Sequence, residues 1–225
     1  MVEIKSSLSY MAKKFEELVG SKFSFQAVTL NKQTVILPRF EGEREFPQIR
    51  LPNTLLSHYG VPKIGQYFKT DSDRMFLQLP VNDDLIAHLN TLDEYLGSNT
   101  LKQELFKAPG NTYEYSPILR YGPKGPYIKL KLEKDYESGS IETVVWHSQR
   151  LTNSCIYRNT IPIDICSVDD FSNAVPLNSS VICLIRFVKV WVVNKKYGLT
   201  VKLAEINVLP GEKPKIEMIK EIEFE

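Results

Sequence analysis

Two stretches of the sequence place cationic and aromatic residues two positions apart. In the first stretch, Tyr127, Lys129 and Lys131 alternate with aliphatic residues up to Leu132. Successive side chains of a strand point to opposite faces, so a strand here would have one apolar face and one cationic, aromatic face. Cations neutralise phosphates and flat rings stack on unpaired bases, so such a face suits single-stranded nucleic acid.

The second stretch repeats this segregation near the end of the chain. Phe187, Lys189 and Trp191 alternate there with valines, and the polar face is predicted to carry all three. A weaker repeat over 200–203 places Lys202 opposite aliphatic residues. The pattern therefore predicts that several strands contribute to one basic and aromatic surface.

A short loop between these strands adds to the same surface. Asn194-Lys195-Lys196-Tyr197-Gly198 begins and ends with residues that tolerate positive φ, which predicts a hairpin. The residues predicted to bind nucleic acid are Tyr113, Tyr115, Arg120, Tyr121, Lys124, Tyr127, Lys129, Lys131, Lys189, Trp191, Lys195, Lys196, Tyr197 and Lys202.

Each of these residues also has an ordinary structural explanation. A strand tryptophan such as Trp191 is more often a core residue, because it buries a large apolar area. Lysines on an open strand face commonly protect a sheet edge. Their co-occurrence on two strands and a hairpin favours binding. The alternative is a β-rich structural or interaction protein, such as a virion component or replisome adaptor, that uses the aromatic residues as a protein interface.

Catalysis has no support in the sequence. The histidines His58, His88 and His147 fall in different predicted elements, and the sequence contains no HExxH, GxSxG, phosphate-binding P-loop or GxGxxG pattern. We therefore expect that the protein is not an enzyme and uses no cofactor.

Two acidic pairs are the candidate metal ligands. Asp83-Asp84 and Asp169-Asp170 could bind a divalent cation, and a nucleic-acid-processing enzyme that uses such a metal is the third hypothesis. Adjacent carboxylates at a helix start more commonly cap the helix and interact with its dipole. We therefore expect no metal site.

The first half of the chain alternates short strands with helices. A stop at Gly97 and N-cap candidates after Pro80 delimit one helix, and a second short helix is closed by Pro109-Gly110. An amphipathic helix is expected over 5–19. The expected strands are 23–30, 35–40, 46–51, 64–70 and 75–79.

The second half is strand-like up to Leu209 and contains no repeat. This pattern predicts an α+β, mainly β chain whose second half is one antiparallel sheet curled on itself. The expected division is 1–110 as an N-terminal strand-plus-helix elaboration packed on a barrel, and 111–225 as the barrel with an acidic C-terminal segment.

Composition places the chain among ordinary globular proteins. It has 225 residues, 43% of them hydrophobic and 24% charged, and a formal net charge of +1. That charge is a cancellation between zero over 1–112, +4 over 113–202 and −3 over 203–225. The N-terminus does not resemble a signal peptide, and the sequence has no run of about 18 apolar residues. We therefore expect an intracellular protein without a membrane partner, with Cys155, Cys166 and Cys183 reduced.

The segment 188–200, together with 127–131, resembles the OB-fold single-stranded-DNA-binding proteins of large nucleocytoplasmic DNA viruses, of the asfarvirus, iridovirus and mimivirus type. The resemblance covers mainly 113–209, and its central feature is an aromatic strand followed by Asn-Lys-Lys-aromatic-Gly. It implies an OB-like antiparallel barrel that binds single-stranded DNA with little sequence preference. The residues that carry it are Tyr127, Lys129, Lys131, Lys189, Trp191, Lys195, Lys196 and Tyr197.

The resemblance further implies a role in viral DNA replication, recombination or repair. The expected partners are single-stranded DNA, with RNA as an open alternative, and replication proteins. The expected location is the site of viral DNA replication in the host cell, or the virion. The acidic end, 217–225, is similar to partner-binding tails of single-strand-binding proteins, but its alternation of apolar residues is more typical of a strand.

Overall fold

The computed structural model describes residues 13–14, 23–30, 33–40, 45–107, 112–135, 137–150, 157–159 and 162–210. These residues form thirteen strands and four helices. In chain order they are β1 (Lys13–Lys14), β2 (Phe23–Leu30), β3 (Gln33–Phe40), β4 (Gln48–Arg50), β5 (Thr54–Leu55), α1 (Asp71–Arg74), β6 (Phe76–Pro80), α2 (Asp83–Gly97), α3 (Asn99–Phe106), β7 (Glu114–Tyr115), β8 (Leu119–Gly122), β9 (Gly125–Leu132), β10 (Val144–Arg150), β11 (Tyr157–Asn159), α4 (Val168–Ala174), β12 (Ser180–Val193) and β13 (Lys196–Val208).

A large mixed sheet dominates the described structure. Its longest strands, β12 and β13, form an antiparallel hairpin. Strands β3, β4 and β5 pair antiparallel with the other edge of β12, whereas β7, β9 and β10 pair parallel with β13. The expectation of an α+β, mainly β chain is confirmed. The OB-like antiparallel barrel is corrected: the described sheet is mixed, with parallel strands along the far edge of β13, and it does not close into a barrel. Alternation predicts strands but not their partners or directions.

The sheet divides where β13 changes partners. Lys202 and Leu203 pair with Lys131 and Leu132 of β9, but the start of β13 pairs with β7 instead. The edge of β9 that contacts β13 also pairs with β8, and the opposite edge of β9 pairs with β6. We call this division the fork, with a β7–β13–β12 arm and a β8–β9–β6 arm.

One face of the sheet forms the core with α2 and α3. Helix α2 buries Leu85, Leu89, Leu92 and Leu96, which lie at the helical spacing of its predicted apolar stripe. The Asn82 side chain accepts a hydrogen bond from the Leu85 amide and caps this helix. The predicted helix is therefore confirmed. The described residues contain no helix long and apolar enough to cross a membrane.

Helix α3 confirms the second predicted helix, whereas three other expectations differ. Residues 64–70, predicted as a strand, have no regular structure, and Ile64 is exposed. Helix α4 lies where only strands were predicted, and Ser167 and Asp170 form a capping box at its start. The helix predicted over 5–19 falls outside the described residues except at Lys13–Lys14, which form strand β1 beside β4.

Strands from both sides of the predicted boundary at 110 share this sheet. Strand β6 pairs with β9, and β3 to β5 pair with β12. The division into 1–110 and 111–225 stays a prediction, and 108–111 lie outside the described residues. So do Cys155 and the acidic segment 217–225. Cys183 is a buried free thiol and Cys166 an exposed one.

Candidate nucleic-acid interface

Strand β9 has one apolar face and one cationic face, as the alternation of its residues predicts. Ile128, Leu130 and Leu132 are buried in the core. Lys129 and Lys131 therefore lie on the opposite face, away from α2 and α3. Across the fork, Lys131 pairs with Lys202 of β13, so both side chains share that face.

Strand β12 adds Lys189 and Trp191 to the same face. Lys189 pairs with Thr200, two residues from Lys202, and an irregularity at Val188 precedes this pair. The irregularity shifts the alternation, because one extra residue inverts the faces on either side of it. Phe187, predicted on the polar face, is therefore buried in the core.

Five cations converge on this face. Lys129 and Lys131 have pKa values below the usual lysine range, first because of partial burial and then because of neighbouring positive charges. Arg120 repels both lysines, and Lys189 and Lys202 repel Lys131. We call this set the cationic face: Arg120, Lys129, Lys131, Lys189 and Lys202.

Most of this charge is not neutralised within the described structure. Arg120, Lys129, Lys131 and Lys189 form no ion pair with any described residue. The ammonium group of Lys129 lies 3.7 Å from the centre of the Phe76 ring, a cation–π contact that leaves its charge in place. The positive charge of the cationic face is therefore largely uncompensated within the described residues.

Trp191 lies beside these cations on the β7–β13–β12 arm. It pairs with Gly198 of β13 and is partly buried. A Cβ on Gly198 would stand 2.7 Å from the indole ring, so the ring packs directly over the glycine backbone. The glycine thus lets the indole lie against the sheet, with part of its surface open to solvent.

Tyr59 is a residue of this surface that sequence reasoning missed. Its ring packs 4.8 Å from that of Tyr127, a predicted residue of the β8–β9–β6 arm. Its hydroxyl donates to the Gly125 carbonyl at 2.8 Å and accepts from the Lys124 amide at 3.0 Å, which fixes the turn between β8 and β9. No local signal marks Tyr59, because these partners lie more than sixty positions further along the chain.

Three of the predicted tyrosines point into the protein instead. Tyr197 is 2% exposed and donates a hydrogen bond to the Leu96 carbonyl, and burial raises its pKa to about 12. Burial and the carboxylate of Asp93, which accepts from the Tyr115 hydroxyl at 2.6 Å, raise the pKa of Tyr115. Tyr113 stacks on the ring of Phe106. These rings attach the sheet to α2 and α3 and do not lie on the cationic face.

The remaining predicted residues lie at the two hairpins. Lys195 is exposed at the turn, whereas Lys196 forms an ion pair with Glu114 at 3.3 Å. Lys124 is exposed in the turn between β8 and β9. Tyr121 is 72% exposed, but it follows Arg120 in β8 and therefore lies on the opposite face of that strand.

A cleft of about 260 Å³ borders the cationic face. Lys202 belongs to the cationic face and also lines the cleft. Arg186 pairs with Lys202 across β12 and β13 and lines the cleft as well. Arg186 was not among the predicted residues. Its Nη1 lies 2.9 Å from an oxygen of Glu133.

The candidate metal ligands have structural contacts. Asp83 and Asp84 lie in the first turn of α2. Asp169 forms an ion pair with the buried Arg74 at 2.6 Å, and Asp170 caps α4. Within the described ranges, no group of three or more histidine, cysteine, aspartate or glutamate side chains could hold a metal ion.

Fold and surface together define a mainly β, α+β chain with a basic sheet face, and the comparisons with known proteins add one relative. A 116-residue segment is 28% identical to uncharacterized protein R505 of Acanthamoeba polyphaga mimivirus. The match covers 47% of this chain and 25% of that protein, so the chain spans about a quarter of its relative's length. No family model matches the sequence. The similarity indicates a viral origin and nothing finer.

Proposed function

We propose that this chain binds single-stranded DNA with little sequence preference, through the cationic face, in viral DNA replication, recombination or repair. The observation that carries the proposal is the uncompensated charge. Four of the five cations lack an ion pair with any described residue, and two of them have pKa values lowered in part by their neighbours. A phosphate backbone would relieve this repulsion and release its own counterions.

The surrounding side chains support a single strand over a duplex. Trp191 offers a flat ring beside Lys189, and Tyr59 and Tyr127 place two more rings on the other arm of the fork. Unpaired bases can stack on such rings, whereas bases in a duplex cannot reach them. The similarity to a mimivirus protein fits a viral setting for this activity.

The test is a salt titration of binding to a dT octamer. Each phosphate neutralised on a single strand contributes about −0.7 to the slope of log K against log salt. We expect a slope of about −3 for the wild type. In the Lys129→Gln/Lys131→Gln variant, the slope should be less negative by about 1.4, and binding at low salt should be about tenfold weaker.

A matched control uses lysines on the helix side of the sheet. Lys102 and Lys107 lie on and just after α3, so Lys102→Gln/Lys107→Gln removes the same charge elsewhere. This variant should bind the octamer like the wild type. Equal losses in both variants, or no binding of wild type at low salt, would refute the assignment of this face. Duplex DNA and an RNA octamer serve as competitors, and cleavage in an arm with magnesium would favour a metal-dependent nuclease.

A second candidate function is that of a structural or interaction protein. The end of β12 exposes Val192 and Val193 at 44% and 58%, and three of the predicted tyrosines pack against α2 and α3 instead of lying on the cationic face. Such apolar exposure suits a protein partner better than a nucleic acid. This alternative predicts no octamer binding at low salt. It also predicts self-association in sedimentation experiments that Val192→Asp/Val193→Asp abolishes.

A further inference from the structure

The cleft beside the cationic face differs from that face in charge. Its ionised lining residues are three cations and three carboxylates, so its formal charge is zero. A phosphate group placed there would meet as many carboxylates as cations. The ionised residues are Glu133, Lys134, Asp135, Glu142, Arg186 and Lys202.

The shape of the cleft limits what it could hold. Its volume of about 260 Å³ lies below the usual range of drug-sized pockets. Phe46 and Val188 add apolar wall to the polar lining. A small, neutral group with hydrogen-bond donors and acceptors matches this volume and lining, and a nucleobase is such a group.

Two of the three carboxylates already have partners. Glu133 holds Arg186, and one oxygen of Asp135 accepts from the amides of Glu137 and Ser138. The carboxylate of Glu142 makes no hydrogen bond or ion pair with a described residue, and the residue is exposed. Glu142 is therefore the one carboxylate of the cleft lining with no partner among the described residues, and both of its oxygens can accept from a ligand.

We infer that the cleft receives one base of a strand bound on the cationic face, and that Glu142 accepts a hydrogen bond from the exocyclic amino group of that base. Lys202 lines both surfaces, so a backbone that contacts it passes the mouth of the cleft. Carboxylates accept from the amino group of cytosine, and thymine has a carbonyl oxygen in its place. This inference rests on the proposed function and adds a base preference to it.

The experiment compares a dC octamer with a dT octamer at the same salt and at mildly alkaline pH, where cytosine stays neutral. The two probes have equal length and charge. Wild type should bind the dC octamer about three- to tenfold more tightly, the range of one net hydrogen bond. Glu142→Gln should bring this ratio close to one, and its affinity for the dT octamer should stay equal or rise, because a negative charge near the backbone is lost.

The control is Glu104→Gln on α3, which removes one carboxylate on the helix side and should keep the wild-type ratio. Equal affinity of wild type for both octamers, or tighter binding of dT, would overturn the base-reading role and leave the proposed function standing. A preference that persists in Glu142→Gln would overturn the role of Glu142. Failure to bind either octamer would overturn the proposed function itself.

Discussion

At the scale of single residues, Lys129 and Lys131 are held where their charge is unfavourable. Partial burial and their cationic neighbours both lower their pKa values. Under the proposed function, the same charges contact the phosphates of the bound strand. Function and stability are therefore expected to oppose each other at these two positions.

Lys131→Gln should show this opposition directly. Removing one like charge from the cationic face should raise the free energy of unfolding at neutral pH by about 0.5 kcal/mol, the scale of an opposed surface pair. Affinity for the dT octamer should fall at the same time. Urea denaturation and the binding titration measure the two effects. A variant that is less stable than wild type would contradict the repulsion argument.

The same lysines predict a pH dependence. Their folded-state pKa values lie below 10.5, so the unfolded chain keeps their protons to higher pH than the folded chain does. Their contribution to stability is therefore unfavourable at neutral pH and improves as the pH rises toward 10.5. Urea denaturation across this range should show wild type gaining stability relative to Lys129→Gln/Lys131→Gln. A constant difference between the two proteins would contradict this prediction.

The sequence was sufficient to predict the lysines of β9 but not all their surroundings. Alternation with aliphatic residues is a local signal, and it predicted the face of Lys129 and Lys131. Tyr59 joins the surface through contacts with residues distant in sequence, and Glu142 shares the cleft with Arg186 and Lys202, which lie more than forty positions further along the chain. Nothing beside either residue in the chain marks these placements. The residues around Tyr197 have the composition of an exposed hairpin, yet the Tyr197 ring packs inward against Tyr115 of β7 and against α2.

At the scale of elements, the β12–β13 hairpin determines which side chains reach the cationic face. The irregularity at Val188 lets Lys189 and Trp191 share a face with Lys202. Trp191 then depends on the missing side chain of Gly198 for its position.

Gly198→Ala should displace the indole of Trp191. The added methyl group would overlap the ring, so we expect a loss of about 1–3 kcal/mol in stability, typical of overpacking. A red shift of tryptophan emission would report the displaced ring. Gly65→Ala is the control, since a Cβ there meets nothing within 4 Å. Equal effects of the two substitutions would show that the Trp191 contact is not the cause.

The turn of this hairpin offers a second substitution. Asn194 and Lys195 have φ values of 49° and 60°, a left-handed backbone that Lys adopts with strain. Lys195→Gly should stabilise the protein by about 0.5–1 kcal/mol, because glycine relieves that strain. Thermal denaturation measures the gain. The salt slope of octamer binding should become less negative by about 0.7 only if Lys195 contacts a phosphate.

Local signals predicted α2 and α3 well, because caps and apolar spacing act within one element. They failed at 64–70, where apolar residues occur without a strand partner, and at α4, whose capping box outweighs the β-rich composition around it. The bulge near Phe187 was not predictable, because it depends on the register of two paired strands.

At the scale of the whole molecule, segments from both halves of the chain are joined. Arg74 of α1 is buried and pairs with Asp169 of α4 at 2.6 Å, and β6 completes one arm of the fork beside β9. An ion pair and a strand pairing therefore connect segments on the two sides of position 110.

Unfolding should accordingly be a single transition. Urea curves followed by tryptophan fluorescence, which reports the second half, and by far-ultraviolet circular dichroism, which also includes α2 and α3, should coincide. Asp169→Asn should move both curves together by about 1–2 kcal/mol, because Asp71 is then the one carboxylate partner of Arg74 among the residues that the structure describes. Separate midpoints would instead support two independent units divided near 110.

The fork also governs how quickly the chain can reach this structure. The β12–β13 hairpin joins strands separated by two residues and can form locally, but the parallel partners of β13 come from distant segments, as in the pairing of Tyr115 with Tyr197. Each such partner requires the closure of a long loop before its contacts form. Refolding is therefore expected to be slow, on a scale of about milliseconds to seconds, with the hairpin as the template on which both arms assemble.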